Sequence, residues 1–124
     1  MIYLASPYSH TDPAVREARY HAACRATAAL IRAGQVVFSP IVHGPPLVAF
    51  GLPTGWDFWE QTDRAFIERC DEVAVLMLDG WDQSVGVRAE LEIARELGKP
   101  VRFLDVYATG SSAFANGATR RELS

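Results

Sequence analysis

The apolar run at residues 73–78, with the sequence VAVLML, constrains the fold more than any other segment. Because every position is apolar, the run offers hydrophobic side chains to both faces of a sheet, as a central strand of a parallel sheet does. Shorter strand-like runs lie at residues 1–5, 36–38 and 101–104. Helical patterns separate these runs, and strands that alternate with helices predict an α/β domain with helices on both sheet faces.

The helical patterns have recognisable starts and stops. The first begins near residue 12 with an Asp-Pro pair, which suits a helix start, and ends before Gly34. The second surrounds Asp63, with residues 56–62 as its beginning, and the third follows Ser84 as far as Gly98. The rest of residues 41–62 is predicted to be loop or short helix, because proline and glycine interrupt it.

Two carboxylates occupy helical positions where the pattern calls for apolar side chains. Glu90 falls on the apolar stripe of the third helix, whereas Glu92 and Glu96 fall opposite. Asp63 falls at the middle of the apolar face of the second helix. An unpaired, ionised carboxylate in such a place is costly, so the pattern predicts a buried polar network or a paired-carboxylate active site. The apolar neighbours are Val87, Leu91 and Ala94 for Glu90, and Phe66, Ile67 and Cys70 for Asp63.

Composition and charge exclude several classes of function. With 124 residues, 49% of them hydrophobic, the chain fits one globular domain with a core. A net charge of −3 argues against a nucleic-acid partner. No membrane span or leader is visible, so we expect a cytoplasmic protein without a membrane partner. We expect no cofactor, because no glycine-rich nucleotide fingerprint is present, and no metal, because His43, Asp79 and Asp82 lack a ligand motif.

The loops that follow the predicted strands are rich in hydroxyl, aromatic and carboxylate side chains. They comprise residues 5–9, 39–43, 79–84 and 105–107. Ligands of open α/β sheets bind outside the carboxyl ends of the strands. Glu90 lies one to two turns into the helix after the third of these loops, near enough to face the same cleft.

Three segments together resemble the nucleoside 2-deoxyribosyltransferase superfamily. Residues 2–7 (IYLASP) resemble its opening, and residues 71–76 (DEVAVL) with 84–90 (SVGVRAE) resemble its strand, loop and catalytic helix. The resemblance covers residues 1–106 as one domain and leaves 107–124 as a C-terminal extension that ends in a frayed tail. It implies a flavodoxin-like three-layer sandwich with a parallel sheet of four to five strands in the order 2-1-3-4. The matched positions are Ser84, Gly86, Glu90, Asp63 eight residues before Asp71, and His43 after the second strand.

The resemblance also implies a mechanism and a substrate. Glu90 attacks the anomeric carbon of a ribosyl or 2′-deoxyribosyl group and forms a covalent glycosyl ester. Asp63 handles the departing base, and Tyr3 hydrogen-bonds Glu90 and orients it. Water as the acceptor gives a hydrolase, and another base gives a transferase. Contacts with a nucleoside or its 5′-monophosphate are expected from Ser6, Ser9, His43, Trp59, Asp82, Ser84 and Gly86.

Other interpretations stay open at this point. Glu90 could cap a neighbouring loop, and Asp63 could be the N-cap of its own helix, where Asp is favoured. The domain could bind nucleotides without turnover. It could also cleave the nicotinamide glycosidic bond of NAD, as Toll/interleukin-receptor-like domains do with the same kind of glutamate.

The resemblance further implies a homo-oligomer, because the family closes its cleft with a partner chain. Two surfaces are candidates for that interface: the alanine-rich face of the helix at residues 12–33 and the aromatic segment at residues 56–59. In the family a Ser or Asn from the neighbouring subunit completes the site. Ser111, Ser112 and Asn116 lie in the corresponding part of this chain, but no motif selects among them.

Overall fold

The chain is built around one sheet with helices on both faces, in a computed structural model that describes residues 1–105 and 120–123. The strands are β1 (Ile2–Ala5), β2 (Val37–Phe38), β3 (Glu72–Met77), β4 (Val101–Asp105) and β5 (Arg120–Leu123). The helices are α1 (Pro13–Arg32), α2 (Pro40–Val48), α3 (Trp56–Arg69) and α4 (Val85–Glu96), and a 3₁₀ turn (Trp81–Gln83) precedes α4.

The strand order is β2-β1-β3-β4-β5, and β1 to β4 are parallel, so the predicted flavodoxin-like order 2-1-3-4 is confirmed. The expectation of a frayed tail is wrong, because residues 120–123 form β5, antiparallel to β4. The segment has no strand pattern of its own. An edge strand presents unpaired backbone N–H and C=O groups, and β4 supplies these partners to β5.

The alternation of side chains along β1 divides the core into two layers. Ile2 and Leu4 face α1, whereas Tyr3 and Ala5 face α3 and α4, because successive strand residues point to opposite faces. Tyr3 therefore belongs to the layer that also receives the two helices with the candidate carboxylates. The main members of the first layer are Ala26, Ala29, Leu30, Ala74, Leu76 and Leu104, and those of the second are Ile67, Val73, Val75, Val87, Ile93 and Ala94.

The alanine-rich face of α1 is buried against the molecule's own sheet. Ala26, Ala29 and Leu30 pack on β1 and β3, and small side chains there let the helix lie close to the strands. The prediction that this face meets a partner chain is therefore wrong. Its hydrophobic surface is already used inside the domain.

Residues 41–62 resolve into α2, a connection and the first turns of α3. Ser39 caps α2 through its side chain, which accepts a hydrogen bond from the backbone N–H of Val42 at 3.2 Å. α3 begins at Trp56, where the sequence predicted it. Within residues 1–105 and 120–123, no helix combines the length and the apolar character that crossing a membrane requires.

Candidate active site

Glu90 lies on the buried face of α4. Ser84 caps this helix by accepting a hydrogen bond from the Val87 N–H at 3.2 Å, which sets where the helix begins and hence its rotation against the sheet. Glu90 is 4% exposed and shares its face with Val87 and Ile93. Glu92 is exposed, as the helical pattern predicted. The rotation of α4 thus buries one glutamate.

Asp63 is buried in the middle of α3. Only 7% of its surface is exposed, and the N-cap of its helix is Gly55, so the N-cap interpretation of Asp63 is wrong. Ile67, one turn further on, is buried on the same side of the helix. Asp63 therefore faces the interior between α3 and the sheet.

Tyr3 on β1 joins the two helices. Its ring is fully buried, and its hydroxyl donates a hydrogen bond to Oε2 of Glu90. The contact predicted between these two residues is therefore present, and it links α4 to the central part of the sheet instead of capping a loop. Burial raises the pKa of Asp63, and the nearby Tyr3 hydroxyl offsets part of that rise.

Burial dominates the electrostatics of this pair. The pKa of Glu90 is raised to about 8: desolvation raises it most, the hydrogen bond from Tyr3 lowers it, and the charge of Asp63 raises it. Desolvation also raises the pKa of Asp63, to about 6. Because each carboxylate disfavours ionisation of the other, the two groups titrate as a pair that holds about one proton near neutral pH. Burial keeps the Tyr3 pKa well above its usual value, so its hydroxyl remains a donor.

An aromatic cluster adjoins this network. Phe38, the register partner of Tyr3 on β2, stacks on Phe66 of α3 with ring centroids 3.7 Å apart and nearly parallel planes. The ring centroid of Phe38 lies 5.8 Å from that of Tyr3 and 5.4 Å from that of His43 on α2. The sequence analysis missed both phenylalanines. The available signal was the three-residue spacing of Asp63 and Phe66, which puts them on one helix face.

The other predicted substrate contacts lie on the loops and helix ends around this centre. Ser84 and Gly86 form the start of α4, Asp82 is exposed in the 3₁₀ turn, and Ser9 is exposed in the β1–α1 loop. Ser6 directly follows β1 and is 3% exposed; within the described residues its Oγ has no hydrogen-bond partner.

Trp59 has structural contacts of its own. Its indole N–H donates to the carbonyl oxygen of Pro53 at 2.8 Å, and its ring lies over Gly44 of α2. It therefore holds the α2–α3 connection, and substrate contact by its ring stays a prediction. In the described part of the chain, no group of three or more His, Cys, Asp or Glu side chains is arranged to hold a metal ion.

Comparison with known proteins gives two findings. A family model for a domain of unknown function, DUF1937, matches residues 1–106. Among solved structures, the chain is similar to a 2-deoxyribosyltransferase from the psychrotolerant bacterium Bacillus psychrosaccharolyticus, with 31% identity and a TM-score of 0.62. The match covers 84% of this chain and 71% of that one, which is described as a biocatalyst for the synthesis of antiviral and antitumoral nucleosides. No curated protein matches the chain.

Proposed function

Because the chain belongs to the DUF1937 family and to the nucleoside 2-deoxyribosyltransferase-like superfamily, we propose that it cleaves or transfers at the N-glycosidic bond of a nucleoside or nucleoside 5′-monophosphate. The observation that carries the proposal is the buried network in which Tyr3 donates to Glu90 beside Asp63. Two carboxyl groups in one apolar site are costly to the fold, and catalysis of this kind needs such a pair.

The reaction has two steps in this proposal. In the first, a carboxylate oxygen of Glu90 forms a bond to C1′ of the sugar, and the C1′–N bond breaks with its electron pair going to the base. Asp63 gives a proton to the departing base. In the second, water or another base attacks C1′ from the face opposite Glu90, the bond between C1′ and Glu90 breaks, and ionised Asp63 takes up the proton that the acceptor loses, so the configuration at C1′ is retained overall.

This chemistry requires Glu90 ionised and Asp63 protonated, whereas a pKa of about 8 for Glu90 and about 6 for Asp63 places the shared proton mainly on Glu90 in the free protein. The reactive form in this proposal is therefore the minor one, in which the same proton lies on Asp63. The Tyr3 hydroxyl favours that arrangement, because it donates to Glu90 and a hydrogen bond to a charged acceptor is stronger than one to a neutral acceptor. We therefore assign Tyr3 to orienting Glu90 and to stabilising the negative charge on it in the reactive form.

The aromatic cluster supports a flat aromatic leaving group. Phe38 packs beside Tyr3, Phe66 and His43 pack on Phe38, and Asp63 lies on the same face of α3 as Phe66. A purine or pyrimidine can pack against such rings while one of its nitrogens faces the carboxyl group. The sugar would then lie toward Glu90, with Ser84 and Asp82 near its hydroxyls and Ser6 and Ser9 near its 5′ end.

A second copy of the chain would complete this cleft. The connection from α2 to α3 and the adjoining helix ends expose apolar side chains: Phe50 is 87% and Phe58 45% exposed, and Leu47 and Leu52 are exposed as well. Exposed apolar surface of this kind is typical of interfaces. With the alanine-rich face of α1 occupied, this segment is the surface that we propose for self-association.

The test compares base release by the wild-type protein with base release by the Glu90→Gln variant. Wild-type protein incubated with a panel of 2′-deoxynucleosides, ribonucleosides and their 5′-monophosphates should release free base, followed by chromatography with and without an acceptor base. Glu90→Gln should release none, because an amide is a far weaker nucleophile. Glu92→Gln is the matched control on the exposed side of the same helix and should behave like wild type.

Other outcomes of this experiment would favour one of the alternative functions. Binding of a nucleotide without release of base would favour a sensing domain, and consumption of NAD alone would favour the nicotinamide glycosidase alternative. If Glu92→Gln is the inactive variant and Glu90→Gln is active, the assignment of the nucleophile is wrong.

A further inference from the structure

The side chain of Arg19 joins two loops at the carboxyl edge of the sheet. From α1, its Nη1 donates to the carbonyl oxygen of Ser9 at 2.9 Å, and its Nη2 donates to the carbonyl oxygen of Asp79 at 2.9 Å. Ser9 belongs to the loop after β1, and Asp79 to the loop after β3. Because a guanidinium is a planar group with donors in fixed directions, one side chain holds both carbonyl groups at a set separation.

Gly80 lies directly beside the Arg19 guanidinium. Its φ of +85° lies in the left-handed region, and a Cβ built on it would lie 2.8 Å from Nη2 of Arg19, too close for a carbon atom. The backbone conformation therefore disfavours a side chain at this position, and a Cβ would also require the end of the flexible Arg19 side chain to move. The loop after β3 therefore passes close to the Arg19 guanidinium at Asp79 and Gly80.

The two loops carry the side chains that the proposed function assigns to the sugar. Ser6 and Ser9 lie on the first loop, and the second continues through the 3₁₀ turn with Asp82 to Ser84. The helix with Glu90 is held separately, since its buried face packs in the core. Loosening the loops would therefore move the sugar contacts more than the nucleophile.

We propose that Arg19 is a positioning residue that fastens these two loops together and so sets the spacing of the groups that bind the sugar. This inference rests on the proposed function, whose nucleophile and proton donor do not include Arg19. Loss of Arg19 should weaken binding of substrate and transition state alike. That change raises KM and leaves kcat nearly constant, whereas a damaged catalytic centre would lower kcat.

The experiment compares Arg19→Ala with Arg25→Ala, a matched change at an exposed arginine on the same helix. In Arg19→Ala, KM for the nucleoside should rise roughly tenfold while kcat changes less than about threefold. Adding free guanidinium at about 10 mM, far below denaturing concentrations, should lower the raised KM of Arg19→Ala part of the way back to the wild-type value. Arg25→Ala should match wild type in both parameters.

Amide hydrogen exchange tests the link without any substrate. In Arg19→Ala, exchange should become faster in residues 6–12 and 79–84 together, with the core strands unchanged. Unchanged exchange in either loop overturns the proposal, and so does faster exchange with a wild-type KM. If wild-type protein releases no base, the proposed function fails, and the exchange result still decides whether Arg19 fastens the loops.

Discussion

Replacing Glu90 with glutamine should make the protein more stable at alkaline pH. In the folded chain Glu90 keeps its proton up to about pH 8, whereas in the unfolded chain it loses the proton near the ordinary value of 4.5. Between these values the folded state binds more protons, so the free energy of unfolding falls as pH rises. Since a tenfold change in proton affinity is about 1.4 kcal/mol, the penalty at alkaline pH is on the order of 5 kcal/mol.

Glutamine removes this penalty without removing the side chain. It is nearly isosteric and uncharged at every pH, and Tyr3 can still donate to its amide oxygen. Near pH 5 the folded forms of both proteins carry a neutral group at position 90, and the pH is only just above the unfolded value of 4.5, so their stabilities should differ by less than about 1 kcal/mol. At about pH 9, Glu90→Gln should be the more stable protein by several kcal/mol.

The assay is urea denaturation of wild type, Glu90→Gln and Glu92→Gln at about pH 5, 7 and 9, followed by circular dichroism. Comparing variants at each pH cancels the contributions of the titrating groups that do not interact with Glu90. Glu92→Gln should stay within about 0.5 kcal/mol of wild type throughout, as expected for a surface change. A difference between wild type and Glu90→Gln that is constant from pH 5 to pH 9 would refute the argument that burial holds a proton on this carboxyl pair.

Further predictions concern the network and two glycines. The kcat/KM for base release should peak between about pH 6 and pH 8, the limits at which the pair holds one proton. Tyr3→Phe should lower that peak roughly 10- to 100-fold, because a hydrogen bond to a charged group contributes about 1.5–3 kcal/mol; a rate equal to wild type contradicts this. Gly44→Ala should destabilise the protein slightly even though a Cβ there meets Trp59 at an ordinary 3.8 Å, because Pro45 disfavours the helical conformation of a preceding residue that carries a Cβ. Gly80→Ala should destabilise it by more than about 1 kcal/mol through strain and the clash with Arg19, and urea midpoints measure both changes.

Local patterns were sufficient to predict the parts of the fold that depend on one segment. The apolar run at residues 73–78 predicted a central strand, and helical spacing alone separated buried Glu90 from exposed Glu92. The burial of Asp63 followed from the same kind of pattern. In each case the helix or strand period decides which face a side chain takes, and neighbours in sequence contain that information.

Contacts between segments that are distant in the sequence could not be predicted from local patterns. The stack of Phe38 on Phe66 joins a strand end to a helix that follows a Pro- and Gly-rich connection, so neither residue's own context indicates it. β5 forms because the backbone of β4 pairs with it. The hydrogen bonds of Arg19 to the two loops depend on the conformation of Gly80. Such features are set by tertiary packing, which overrides local propensity.

Asp63→Asn separates protonation of the base from nucleophilic attack. If Asp63 supplies the proton, its loss should slow release of an ordinary purine by roughly 10²–10⁴-fold, the usual contribution of general acid catalysis. A 7-methylated purine nucleoside already carries positive charge on its base, which leaves without a proton, so its release should slow by less than about tenfold. Glu90→Gln should abolish both reactions, and Asp57→Asn, the same change at an exposed position of α3, should affect neither. Chromatographic initial rates for the two substrates give the comparison. Equal slowing of both by Asp63→Asn would mean that this carboxyl group holds the base or Glu90 in place and does not transfer the proton.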